Sequence, residues 1–108
     1  MIDKLKSVIS RNDELEGLMS QPDAMHDMKT FTQLAREHRA MTDLVEHANI
    51  YIETHNQLIE DEEILEGDDL ELKELVKDEI GDLKDRLSIY GNKLKIPQCR
   101  YVLENYYN

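Results

Sequence analysis

The hydrophobic pattern of the chain centres on one long stretch between Phe31 and Ile59. Nine side chains there follow one another at alternating steps of three and four residues, and such steps place them on one stripe of an α-helix. They are Phe31, Leu34, His38, Met41, Val45, Ala48, Ile52, His55 and Ile59. A second row at steps of seven runs beside the stripe and contains Leu44, Tyr51, Leu58 and Leu65. Because two rows make a wider apolar face than a two-stranded seam needs, the helix is expected to pack against more than one neighbour.

Proline and glycine mark where this helix can end. Neither residue occurs between Asp23 and Glu66, so the pattern predicts one helix over about 24–65. From Asp27 to Leu65 it would be roughly 58 Å long. Asp23 or Asp27 is expected to cap its start. Gly67, which acidic capping residues follow, predicts the turn of a helical hairpin.

Two shorter helices are predicted on either side of the long one. Over residues 2–19 one face carries Leu5, Val8, Leu15 and Met19. Asn12 interrupts this face, and a solvated helix edge is favoured there over a buried residue that fixes register. Over residues 69–95 an apolar stripe opens with Leu72 and Leu75 and continues with Val76, Ile80, Leu83, Leu87, Tyr90 and Leu94. The predicted fold is therefore all-α, an antiparallel three-helix bundle or coiled-coil-like hairpin with a long central helix and a short C-terminal tail.

The C-terminal tail, residues 97–108, differs from the helical domain predicted over residues 1–96. Pro97 ends the third helix because it lacks an N–H and disfavours helical geometry in the residue before it. Three of the five tyrosines, Tyr101, Tyr106 and Tyr107, follow. The tail is expected to form either a short helix or an extended flap. Such aromatic content seldom stays in water, so the tail should cover bare apolar surface or meet another chain.

The net charge of the chain limits the classes of partner it can bind. It has 24 acidic and 13 basic residues, a formal net charge of −11, which argues against a freestanding nucleic-acid binder and favours a basic partner protein. Acids concentrate around the predicted hairpin turn. The candidate partner-binding surface consists of Glu60, Asp61, Glu62, Glu63, Glu66, Asp68, Asp69, Glu71 and Glu74. A solvated acidic tip is favoured over a calcium site, because the spacing does not match a calcium-binding loop.

The residues do not predict catalytic, metal or cofactor chemistry. The four histidines are His26, His38, His47 and His55, and no two of them lie three or four residues apart, as a helical zinc pair requires. None follows a glutamate by three residues, as a carboxylate site in a four-helix bundle would need. His38 and His55 are expected to be packing residues. Asp43 with His47, and Tyr51 with His55, are spaced for hydrogen bonds along the helix.

Cysteine content and hydropathy indicate a compartment. Cys99 is the only cysteine and has no predicted activating neighbour, so a reducing, cytoplasmic setting is expected and a catalytic thiol is not. No uninterrupted apolar run exceeds three residues. Secretion and membrane spanning are therefore not expected.

Two segments resemble a known family. Residues 27–38, DMKTFTQLAREH, resemble the start of the long second helix in the N-terminal domain of bacterial class I peptide chain release factors, most closely the release factor 1 type. Residues 69–80, DLELKELVKDEI, are similar to the acidic segment that opens the third helix of that domain. In order and spacing the resemblance spans Met1 to about Leu94.

The resemblance implies a three-helix domain that binds the factor-binding region of the ribosome during translation termination. It also implies help in engaging the partner GTPase that recycles the factor. These 108 residues contain no Gly-Gly-Gln motif, and Ile96–Arg100 departs after its proline from the family's linker to the catalytic core. A non-catalytic module is therefore expected, with a ribosomal protein or the GTPase as partner. The alternative is a generic helical adaptor or homodimer unrelated to termination.

Overall fold

The computed structural model describes residues 1–106, and over these residues the chain is all-α, as predicted. Its helices are α1 (Ile2–Met19), α2 (Met28–Glu66), α3 (Leu70–Lys93) and α4 (Pro97–Tyr106), with a 3-10 turn at Ala24–His26 before α2. Both α1 and α3 run antiparallel to α2 and pack against it. The chain measures 61 × 30 × 18 Å, so α2 extends over almost its whole length. Tyr107, which the sequence placed in the aromatic tail, lies outside the described residues.

Short polar contacts fix the ends of α2. Asp27 caps its start: one carboxylate oxygen accepts a hydrogen bond from the Thr30 N–H at 3.1 Å and the other from the Thr30 hydroxyl at 2.7 Å. The long helix therefore begins at Met28, later than the predicted 24, and Asp23 precedes only the 3-10 turn. At the other end the Gly67 N–H donates to the Ile64 carbonyl at 3.1 Å. Asp69 then caps α3 by accepting from the Leu72 N–H at 3.1 Å.

Within residues 1–106, two separate apolar clusters hold the helices together. The larger one joins α1, the first half of α2 and the C-terminal segment, and consists of Leu5, Val8, Leu15, Met41, Leu44, Ala48, Leu94, Cys99 and Val102. The smaller one joins the second half of α2 to α3 and consists of Leu58, Val76, Ile80 and Leu83. As the two-row pattern predicted, α2 has more than one neighbour, and these neighbours cover different parts of its length.

In the second half of α2 the buried residues are not those of the predicted apolar stripe. Ile59, a stripe residue, is 43% exposed, whereas Leu58 beside it is 9% exposed. Thr54 and Asp61, which belong to neither predicted row, are buried at 3% and 1%. The Thr54 hydroxyl is satisfied because it donates to the Ile50 carbonyl at 2.7 Å. The prediction is wrong here because this part of α2 faces α3, so its buried side follows the direction of α3 and not that of α1.

Two further expectations are corrected on α1 and α3. Asn12 is buried at 9% exposure and donates from its side-chain amide to Glu16 at 3.3 Å, so the solvated edge is wrong. Leu72 and Leu75 are 43% and 67% exposed and do not open the buried stripe of α3. The four-three spacing of Val76, Ile80 and Leu83, continued backwards, leads to Lys73, and both leucines lie off that line.

The described part of the C-terminal tail, residues 97–106, forms a helix that covers apolar surface. Cys99 and Val102 of α4 are each 1% exposed and belong to the larger cluster, whereas Tyr101 points outward at 60% exposure. Burial raises the pKa of the Cys99 thiol above its ordinary value, and the Asp43 carboxylate adds to this rise. Because nucleophilic cysteines need the thiolate, Cys99 is a packing residue in this fold.

Candidate interaction surface

The hairpin turn between α2 and α3 forms one end of the elongated chain. We call residues 59–75 the acidic tip. Eight of the nine carboxylates predicted as a partner-binding surface are exposed there: Glu60, Glu62, Glu63, Glu66, Asp68, Asp69, Glu71 and Glu74. Continuous helix on both sides of a three-residue turn holds these groups on a firm support.

Asp61 is the exception and cannot belong to an exposed surface. Its side chain is buried at 1% exposure, and one carboxylate oxygen accepts a hydrogen bond from the Gln57 amide at 2.9 Å. The other oxygen, Oδ2, has no hydrogen-bond partner among the described residues. The sequence grouped Asp61 with its acidic neighbours, but its position on the helix turns it toward α3. Residue type alone gave no signal of this difference.

Few cations offset the charge of the acidic tip. Glu74 pairs with Lys77 at 2.8 Å, and the hydrogen bond from this lysine, with its charge, lowers the pKa of the Glu74 carboxyl. Asp69 is engaged as the cap of α3. Within residues 1–106 no ion pair joins the other six exposed acids to a cation. The tip therefore presents a strong negative field to solvent.

Exposed leucines accompany these acids, and the sequence interpretation missed them. Leu70 and Leu75 are 75% and 67% exposed, and Leu65 and Leu72 are 36% and 43% exposed. The exposure of Leu72 and Leu75 could have been predicted by extending the four-three spacing of α3 backwards, because it leads to Lys73 and not to either leucine. Apolar side chains within a polar rim are typical of protein-binding surfaces.

The histidines make different contacts from those predicted. The Nδ1 atoms of His47 and His55 are buried without a hydrogen-bond partner in the described part of the chain, so neither predicted bond along α2 forms through these atoms. The His47 ring instead packs against the Tyr90 ring at a centroid distance of 5.9 Å. His38 Nε2 lies 3.0 Å from a carboxylate oxygen of Glu16 and links α2 to α1.

Residues 1–106 present neither a metal-binding cluster nor a membrane-spanning helix. No group of three or more His, Cys, Asp or Glu side chains in that range is arranged to hold a metal ion. No helix there combines the length and apolar character needed to cross a membrane.

Comparison with known proteins places most of this chain in a family. Residues 8–98 match the PCRF domain. Peptide chain release factor 1 of Sulfurovum sp. (strain NBC37-1) is 37% identical over 94 residues, which are 87% of this chain and 26% of the relative. The proteins of the same name from Syntrophobacter fumaroxidans and Ligilactobacillus salivarius are 34% and 36% identical over 97 residues, 89% of this chain and 27% of each relative. No solved structure matches the chain.

The chain thus spans about a quarter of the length of these relatives. Both segments that carry the resemblance, residues 27–38 and 69–80, lie inside the matched region, which also includes all of α2 and α3 and the part of α1 from Val8 onward. The similarity to the release factor 1 type predicted from the sequence is confirmed, and the chain belongs to the PCRF domain family.

Proposed function

We propose that the chain is a non-catalytic binding module of translation termination that acts in the cytoplasm. In this proposal the acidic tip contacts a basic ribosomal protein at the factor-binding region or the GTPase that recycles release factors. The family match and the name of the relatives, peptide chain release factor 1, support the process. The exposed acids and leucines at one end of α2 support the mode of action.

The geometry of the hairpin suits contact at a distance. A helix of 39 residues is about 58 Å long at about 1.5 Å per residue, so α2 carries the tip far from the larger apolar cluster. Complementary charge speeds encounter and selects a basic partner, while leucines that become buried on contact add affinity. Binding of this kind needs no cofactor and no direct reading of nucleic-acid sequence.

Co-sedimentation with ribosomes tests this function. The double variant Glu63→Lys with Glu71→Lys reverses two exposed charges of the tip, and we expect its dissociation constant to rise at least about tenfold at low salt. Raising the salt should weaken the wild type more than the variant, because the variant has lost the attraction that salt screens. The matched control is Asp3→Lys with Asp13→Lys, which makes the same charge change on exposed positions of α1.

Two results would overturn the proposal. One is a wild type that does not bind ribosomes at any salt concentration and does not bind the isolated GTPase. The other is an equal loss of binding in the tip variant and the α1 control, because general charge would then explain the effect.

The exposed leucines also support a second candidate, a homodimer formed through the tip. Leu70 and Leu75 expose enough apolar side chain to meet their counterparts in a second copy, although the surrounding like charges oppose this contact. Sedimentation velocity, measured up to high micromolar protein concentration, tests whether the homodimer forms. A species of twice the monomer mass that is absent in the Leu70→Glu variant supports the dimer. A wild type that remains monomeric at all concentrations excludes it.

A further inference from the structure

A basic and apolar surface lies at the end of α2 opposite the acidic tip. We call it the arginine patch and define it by Met25, Met28, Phe31, Arg36 and Arg39. A groove of about 300 Å³ runs through it, lined by Met28, Phe31, Thr32, Ala35, Arg36 and Arg39. Met25 and Met28 are 58% and 53% exposed. Phe31, the only phenylalanine of the chain, is half-buried and belongs to neither apolar cluster of the described residues.

The arginines of this patch have no carboxylate partner within residues 1–106. The only acids between residues 24 and 42 are Asp27 and Glu37. Both oxygens of Asp27 accept from Thr30, and both oxygens of Glu37 accept from Arg11, at 2.6 and 2.9 Å. These two acids are therefore engaged in holding α1 and the start of α2. Asp43, four residues after Arg39 on α2, forms no ion pair within residues 1–106, so both guanidinium groups remain available to an external partner.

The composition of the patch is typical of a protein interface. Aromatic residues, methionine and arginine are the types enriched at such interfaces, and methionine adapts its shape to an incoming side chain. Arg36 and Arg39 are three residues apart on α2, so their Cβ atoms are about 5–6 Å apart. A pair at this separation matches two carboxylates on adjacent turns of a partner helix, each held by the planar guanidinium fork.

The acidic tip is too distant to repel such a partner. Arg36 and Glu62 are 26 residues apart on one helix, about 39 Å at about 1.5 Å per residue. Charges in solvent are largely screened beyond about 8 Å at physiological ionic strength. A nucleic-acid backbone is less suited to the patch, because it needs a longer row of cations and gains little from an apolar groove.

We propose that the arginine patch is a second binding surface, specific for an acidic protein segment. The segment inserts one large apolar side chain between Met28 and Phe31, and two of its carboxylates pair with Arg36 and Arg39. This surface is independent of the acidic tip, and its partner has the opposite charge.

Selection from a random library of 12-residue peptides displayed on phage tests this proposal with the intact 108-residue chain as bait. We expect the enriched peptides to combine at least two Asp or Glu residues with one Leu, Phe, Met or Trp. Fluorescence polarisation then measures the affinity of one labelled, enriched peptide. The double variant Arg36→Glu with Arg39→Glu should weaken its binding at least about tenfold, and Arg36→Gln with Arg39→Gln should weaken it to a smaller extent.

The matched control is Lys84→Glu with Arg86→Glu, an equal charge change at exposed positions of α3, which should leave the affinity within about twofold. Circular dichroism checks that every variant remains helical. The proposal is overturned if no peptide is enriched, if basic or purely apolar peptides are enriched, or if the control variant loses as much affinity as the patch variant. It is also overturned if single-stranded RNA competes for the patch better than any acidic peptide does.

Discussion

Replacing Leu58 with alanine is expected to destabilise the chain far more than the same replacement at its neighbour Ile59. The apolar stripe of the sequence contains Ile59, whereas the structure buries Leu58 to 9% exposure and leaves Ile59 43% exposed. The two residues are adjacent on one helix, so their distance from the helix ends and the charge around them are nearly the same. The comparison therefore isolates the direction in which this part of α2 faces.

The expected magnitudes follow from burial. Leu58→Ala removes three almost fully buried carbons, about 2.4 kcal/mol at about 0.8 kcal/mol each. Two packed helices with no further layer can partly collapse around the gap, so we expect a total of about 2–3 kcal/mol. Ile59→Ala removes the same number of carbons, but the Ile59 side chain is only a little more than half buried. The better helix propensity of alanine offsets roughly 0.4 kcal/mol of the loss. The net cost at Ile59 should stay below about 1 kcal/mol.

Urea unfolding at 25 °C, followed by circular dichroism at 222 nm, measures this difference. With a slope of about 1.5 kcal/mol per molar urea, the midpoints of the two variants should differ by about 1 M. Equal slopes in wild type and variants are needed for this comparison. If Ile59→Ala shifts the midpoint as far as Leu58→Ala does, the reasoning from burial is refuted and the sequence stripe is the correct description of α2.

Three further predictions concern single contacts. Glu37→Gln should reduce the free energy of unfolding by about 1–2 kcal/mol in the same urea assay, because it weakens a largely buried, two-bond pair with Arg11. Asp27→Ala should destabilise the chain at pH 7, and this cost should shrink as the pH is lowered towards 2.5. The Thr30 hydroxyl and N–H lower the pKa of Asp27 in the folded state, so the stability they give is complete above the ordinary pKa and is lost as the pH falls through the lowered pKa of the folded chain. Cys99 should react with Ellman's reagent at least about 100-fold more slowly in the folded than in the unfolded chain, because α4 must detach first.

Each of these predictions has an internal control. Glu14 also pairs with Arg11, but its side chain is 60% exposed, so Glu14→Gln should cost less than Glu37→Gln, and an equal cost would contradict the role given to burial. Asp13→Ala removes an exposed carboxylate that has no capping role and should cost less stability at pH 7 than Asp27→Ala does. Labelling of Cys99 as fast as in denaturant would mean that α4 does not cover the larger cluster in solution.

Helix content, caps and most of the core were predictable because they depend on neighbours along the chain. The four-three spacing of Val76, Ile80 and Leu83 identified buried residues of α3. Asp27 and Gly67 marked the ends of α2 because capping requires only hydrogen bonds within one turn. The exposed acids of the tip were found in the same way, since a dense run of carboxylates seldom packs inside a protein.

The errors concern direction, which local sequence does not specify. A residue on a long helix is buried only where another helix lies over it, and α1, α3 and α4 cover α2 from different sides and along different lengths. This arrangement buries Asp61 within an acidic run, exposes Leu75 within an apolar stripe and leaves Phe31 only half-buried, outside both apolar clusters of the described residues. The sequence by itself determined the three long helices, most of their ends and the separation of charge, because these properties arise within one or two helical turns. Only the tertiary structure decided which side of each helix meets water, because that depends on contacts between segments distant in the chain.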